Sequence, residues 1–287
     1  MAFVSQERSD IRSLDIQKLL KGFALATYIF KNLVTVSSTS GDTIRWYQET
    51  PGDIVVTAPS TIPSGTISEF PYAEHSWQRN ESLPKTYKLE TFISNRDLKT
   101  TDIDVQARSV LRIMRAIVKQ VDSRIYDVLT ESQSPSTILT GASAGTGWDD
   151  LTNGNPILDI MSGSQLIQEN DYNMSKGYVI AMNPKNEKDL KNYIISVKGS
   201  SIPAVSSEQV KRGVLMNILG GDVVVSNNVV AGSVFVGLPD TAVTWYSLTG
   251  PTAKVIEDPL VGIKIRVLEE GEAVLTDPKA SFLITGT

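Results

Sequence analysis

From Thr101 to Glu131 the chain runs without a glycine or a proline, and this stretch limits the possible folds more than any other. Within it Ile103, Ala107, Val110, Leu111, Met114, Ile117, Val118, Val121, Ile125, Val128 and Leu129 recur at three- and four-residue steps. That spacing stacks apolar side chains along one face of an α-helix, and a Thr or Asp at the start supplies the cap. It predicts one amphipathic helix over 102–131. At about 1.5 Å per residue such a helix is on the order of 45 Å long, suited to a girder across a flat molecule.

The other face of this helix carries Arg108, Arg112, Arg115 and Lys119 at steps of four, three and four. Two readings fit the stripe. One is a solvated face helped by Asp104, Asp122 and Asp127, the usual state of a charged helix surface. The other is a surface turned towards phosphate or an acidic neighbour.

Upstream, residues 5–21 have modest helical spacing (Ile11, Leu14, Leu19, Leu20) and a stop at Gly22. A polar break at 37–43 follows. Pro51, Pro59, Pro63, Pro71 and Pro84 then punctuate residues 46–88. Proline has no donor for a sheet ladder and breaks helices, so this region reads as an extended two-stranded excursion with no core of its own. Downstream of a Gly/Ser/Thr-rich link (134–147), Asn155-Pro156 and Asn183-Pro184 each pair a cap with proline at the first helical position. Ser206 with Gln209 makes a capping box, and that third helix is expected to end at Gly220 and Gly221. Tyr178 to Met182 reads as a buried strand. Asp222 to Val225 and Val229 to Val236 read as a hairpin about Ser226, Asn227 and Asn228. The end of the chain reads as a strand from Val261 to Leu268, a turn at 269–272, and strands at 273–276 and 281–285. The fold class is α+β, without internal repeats.

Chemistry is sparse. The chain has 287 residues, no cysteine and a single histidine, His75, which removes thiolate sites and most imidazole-based catalysis. Gly141, Gly145 and Gly147 lack the lysine and the flanking strand of a phosphate loop. The adjacent Asp149 and Asp150 suit a turn better than a cation, which needs a spaced third ligand. His75 lies in the proline-rich excursion, a poor place to tune a pKa. Glu269, Glu270 and Glu272 crowd the expected turn and keep it solvated; a hydrolase or carbohydrate-binding module built on them would need a concave pocket with perturbed carboxylates. No enzyme, metal or cofactor is expected. No segment approaches the roughly 20 apolar residues of a membrane helix; the best, Phe23 to Phe30, stops at Lys31 and Asn32. With Glu7, Asp10 and Asp15 spoiling a basic leader, the expectation is an intracellular product with no membrane partner. The net charge of -5 argues against a dedicated nucleic-acid binder while leaving room for a local basic stripe.

In order, the strings DVQARSVLRIMRAIVKQVDSRIYDVL, GWDDLTNGNPILDI, YVIAMNPKNEKDL, LGGDVVVSNNV, EDPLVGIKIRV and DPKASFLITG resemble the major capsid proteins of tailed double-stranded DNA bacteriophages, the fold typified by phage Hong Kong 97. The likeness covers about residue 100 to the C-terminus in sequence, and the first 90 residues in position and character.

The resemblance implies an N-terminal arm at 1–45 and an extended loop at 46–88 lying over a neighbouring subunit. It implies a peripheral domain at 89–132 and 259–287 with spine helix 102–131, and an axial domain at 133–258. The implied function is self-assembly, through pentamers and hexamers, into an icosahedral shell around double-stranded DNA contacted non-specifically. The protein would be assembled in the host cytoplasm and reside in the virion. Trp46, Tyr47, Ile62, Ile67, Phe70, Tyr72 and Trp77 of the loop, with Ile54 and Val55, are then candidate inter-subunit contacts, because an excursion without a core seeks a partner surface. Portal and decoration proteins are further possible partners. A covalent link through a loop lysine, which some members form, is not expected, since residues 46–84 contain no lysine. Starting at Met1, the chain has no room for an attached scaffolding region, so a separate scaffolding protein is expected. An encapsulin, a cellular shell holding enzyme cargo, is the alternative within the same fold.

Overall fold

The computed structural model describes residues 28–49, 77–100, 105–130, 139–140, 147–174, 177–196, 217–258 and 260–287. The expected helix at 5–21, His75, Ile62, Ile67, Phe70, Tyr72, Gly141, Gly145 and the Ser206 capping box lie outside the described residues. In chain order the elements are β1 (Thr35–Ser38), β2 (Ile44–Glu49), β3 (Trp77–Ser82), β4 (Lys85–Ser94), α1 (Asn95–Thr100), α2 (Val105–Thr130) and β5 (Leu139–Thr140). There follow α3 (Pro156–Glu169), β6 (Tyr178–Met182), α4 (Pro184–Ser196), β7 (Asn217–Ile218), β8 (Gly221–Val225), β9 (Ser233–Gly237) and α5 (Pro239–Ala242). The chain closes with β10 (Val243–Asp258), β11 (Gly262–Leu275) and β12 (Ser281–Thr285).

The long helix forms where periodicity puts it. Val110, Met114, Ile117, Val118, Val121, Ile125, Val128 and Leu129 are buried on one side. They pack on a four-stranded sheet of order β1-β10-β11-β4, against Ile93, Ile263, Ile265, Val267 and the fully buried Trp245. Burial of a large core side chain is worth roughly 2–3 kcal/mol, a gain partly offset here because Trp245 Nε1 finds no acceptor among the described residues.

The backbone of this sheet is the β10–β11 hairpin, paired antiparallel from Val243↔Leu275 to Asp258↔Gly262. Periodicity does not reveal β10, because Gly250 and Pro251 interrupt it. The sheet accommodates them at register shifts between Ser247 and Thr252, where a bulge needs no ladder donor from proline. Residue 258, the expected end of the axial stretch, is the last residue of β10 at the tip of this hairpin. Thus β10 joins the sheet under α2, while β12 joins the second sheet.

That second sheet has the order β5-β12-β9-β6-β8-β7. Here the expected hairpin of β8 with β9 is corrected: β8 pairs parallel with β6, and β9 pairs antiparallel with the other side of β6. The segment YVIAM is apolar at every position and nearly all buried, so it takes the central place between the two strands. Gly220 is also not a helix cap. Asn217↔Asp222 and Ile218↔Gly221 pair antiparallel, and Leu219 (φ 54°) and Gly220 (φ 85°) turn the chain with the two positive φ values of a type I′ hairpin. Helix α3 opens as expected: Asn155 Oδ1 accepts from the Leu158 N–H at 3.2 Å, with Pro156 following. It seats closely on β12 because Gly163 faces Phe282; a Cβ there would stand 3.0 Å from the ring.

Candidate functional site

For a chain with little catalytic equipment, the informative places are its buried charges and the surfaces it leaves open. The expected solvated turn at 269–272 is the first correction. Residues 262–275 are one continuous strand, and Glu269 and Glu272 are completely buried. Glu269 accepts hydrogen bonds from the Tyr28 O–H and from Lys31 Nζ. Burial, and then the Glu269 charge, push the Tyr28 hydroxyl well above the ordinary tyrosine range. Glu272 accepts from Arg124 Nε at 2.7 Å, and Lys85 Nζ stands 3.5 Å from its other oxygen. Beside it Tyr87 and Trp245 have ring centroids 6.2 Å apart; the Tyr87 hydroxyl is raised by burial and then by Glu272.

Asp122 is the second correction. It is 2% exposed, so it cannot neutralise the basic stripe as expected. Its carboxylate accepts the backbone N–H groups of Ile29 (2.8 Å) and Lys31 (3.1 Å). Desolvation pushes its pKa up to about 6, opposed by those N–H groups and by Lys31. The periodicity carried the signal, because Asp122 lies four residues after Val118 and three before Ile125, on the apolar face. Asp122, Glu269 and Glu272 thus fasten three things to one another: the segment at 28–31, helix α2 and the start of β4. Buried charges are retained when paired and hydrogen-bonded, as these are.

None of these carboxylates faces a cleft. The cavity of about 610 Å³ lies elsewhere, between Leu33, Tyr172, Tyr178, Asp222, Leu238 and Asp240. Among the described residues no group of three or more His, Asp or Glu is placed to hold a metal ion. Asp149 and Asp150 sit in a turn, where Asp150 Oδ1 accepts from the N–H groups of Thr152 (2.8 Å) and Asn153 (3.3 Å); these bonds hold its carboxyl below the usual range. Glu269 and Glu272, completely buried in the sheet, give the expected hydrolase no open carboxylates. Among the described residues no helix is long and apolar enough to cross a membrane.

The open surfaces are of two kinds. Strands β2 and β3 pair with each other from Ile44↔Ser82 to Glu49↔Trp77 and form a separate two-stranded ribbon. At its root Ile44 is buried and Trp46 Nε1 donates to the Leu275 carbonyl at 2.9 Å. Of the two loop aromatics described with their side chains, Trp46 is therefore anchored to its own chain while Tyr47 is 61% exposed. Trp77 is placed as the first residue of β3. The second open surface is α2, whose Arg108, Arg112, Arg115 and Lys119 are all exposed on the side away from the sheet. Arg115 has a partner of its own within the chain.

A model of the family described as phage capsid protein matches residues 81–283. No curated protein matches the sequence. Among solved structures the chain is similar to a virus-like particle from Pyrococcus furiosus (TM-score 0.64, 14% identity, covering 95% of this chain and 99% of that one). It is similar to Mycobacterium phage Che8 (TM-score 0.64, 17% identity, 90% and 91%). The capsid of cyanophage P-SCSP1u is alike to the same degree (TM-score 0.64, 14% identity, 91% and 88%).

Proposed function

The chain belongs to the phage capsid protein family, and from that premise we propose that it closes through pentamers and hexamers into an icosahedral shell around double-stranded DNA. It is a structural protein of the virion capsid with the Hong Kong 97-type fold, assembling into multimeric shells, and it is not an enzyme.

The observation that carries the proposed contact scheme is the β2–β3 ribbon. Among the described residues its strands pair only with each other, and it offers Tyr47 to solvent. A two-stranded ribbon alone is marginal in water and gains by lying on a partner. In this scheme residues 46–88 reach a neighbouring subunit, and Tyr47, Ile62, Ile67, Phe70, Tyr72 and Trp77 make the contact. Trp46 fixes the root to its own subunit. Residues 1–45 form the arm; 89–132 with α2, together with β10 and residues 259–280, form the peripheral domain; the remainder of 133–258, with residues 281–287 and so β12, forms the axial domain. Each contact joins a different patch on the two subunits, so repetition closes rings and then a shell. Scaffolding, portal and decoration proteins are the further partners of such a shell.

A second reading, an encapsulin-type shell holding protein cargo, draws on the near full-length likeness to the virus-like particle. Both are tested by purifying particles and assaying nuclease protection. Protected DNA supports the genome container, co-purifying protein without DNA supports the second reading, and absence of any shell rejects both.

A further inference from the structure

Building on the shell reading, we infer that the outward face of α2 from Arg108 to Lys119 is the surface on which the shell meets the phosphates of enclosed nucleic acid.

Arg108, Arg112 and Lys119 are exposed and form no ion pair among the described residues, and Arg108 to Lys119 includes no acid. The acid that helical spacing would offer Lys119, Asp122 at the third residue on, is turned into the core and held by the N–H groups of Ile29 and Lys31. In a chain of net charge -5, Arg108, Arg112 and Lys119, exposed along one helix face with no acid in the sequence between them, are a segregated charge.

The opposite surface of the same layer shows the contrast. On the outer face of the four-stranded sheet, Lys88, Lys254, Lys264 and Arg266 alternate with Glu90, Asp258 and the half-buried Glu270, and Arg266 is paired with Glu90. A wall built from this layer has a mixed-charge side and a side on which Arg108, Arg112, Arg115 and Lys119 are exposed in one stripe.

The stripe's chemistry selects the partner. Three of its four residues are arginines, whose planar forks match phosphate oxygens, and they stand on a rigid helix. Over eleven residues the stripe runs about 16 Å, along which a DNA strand presents a phosphate about every 3.4 Å. Between the cations the exposed residue is Ala116, with Gln120 beyond Lys119, so the face lacks the apolar centre of a protein interface. It suits sequence-independent contact with a polyanion.

The test uses the full-length chain, with a short mixed-sequence DNA duplex as probe, titrated between 50 and 200 mM salt. Wild type should lose affinity about 40-fold across that range, the slope of about three phosphate contacts. The triple variant Arg108→Gln, Arg112→Gln, Lys119→Gln, which leaves the internally partnered Arg115 in place, should lose almost all of that salt dependence. Electron microscopy of the same variant separates the two readings: it should still form shells, and loss of shells with an unchanged DNA slope would place the stripe in assembly. An unchanged slope, or binding of polyglutamate in preference to the duplex, overturns the inference.

Discussion

Asp122 is the residue at which local chemistry reaches furthest into the fold. With its pKa near 6 against an ordinary 3.8, the folded state binds its proton more tightly than the unfolded chain does. Its contribution to stability is therefore fully present below about pH 3.8 and is lost as pH rises through about 6. The difference in unfolding free energy between wild type and Asp122→Asn, followed by urea melts from pH 4 to 7, should change by on the order of 3 kcal/mol in that direction. A flat difference would mean that the carboxyl is not buried. Asp122→Ala leaves the N–H groups of Ile29 and Lys31 without acceptors and should cost about 2 kcal/mol at neutral pH. The Arg124–Glu272 pair behaves differently, because its buried member is the carboxylate. Arg124→Met leaves Glu272 buried with the exposed Lys85 at 3.5 Å and should cost about 3–5 kcal/mol, and adding Glu272→Leu should restore most of that loss; the double-mutant cycle measures the coupling directly.

At the scale of elements, the structure separates what local pattern determines from what partners determine. Helix α2, the Asn-Pro starts of α3 and α4, and strands β6 and β12 all stand where spacing and caps place them, since those signals are local. The errors came from pairing and from charge. Adjacent runs 222–225 and 229–236 look like a hairpin, but β6, some forty residues earlier, separates them, and no local pattern announces a strand inserted from that distance. Residues 269–272 look like a turn because Glu-Glu-Gly-Glu is polar; Lys31, Arg124 and Tyr28, which make burial tolerable, are remote in sequence. Among the candidate contacts, the exposure of the α2 stripe was legible, whereas the hydrogen bond of Trp46 to Leu275 was not. The β7–β8 turn offers a clean check. With φ at 85° for Gly220, Gly220→Ala should cost about 1 kcal/mol and Gly220→Asn distinctly less, read as shifts of the urea midpoint with unchanged slope.

For the whole molecule, the division of labour follows from which groups are satisfied within one chain. Asp122, Glu269 and the second core around Ile160, Ile180 and Phe282 find their partners within the chain. On the proposed reading, the ribbon and the α2 cations Arg108, Arg112 and Lys119 turn instead to neighbours and to contents respectively. Because residues 46–84 carry no lysine, mature particles should dissociate to single chains on denaturing gels; a ladder of covalent oligomers would contradict this. The central claim, that the chain is built to close into a genome-holding shell, is tested most directly by electron microscopy of particles from the native source, with nuclease protection measured on the same fractions. Uniform closed shells containing protected DNA are expected. A monodisperse monomer across concentration and salt, with neither rings nor shells, would contradict that claim.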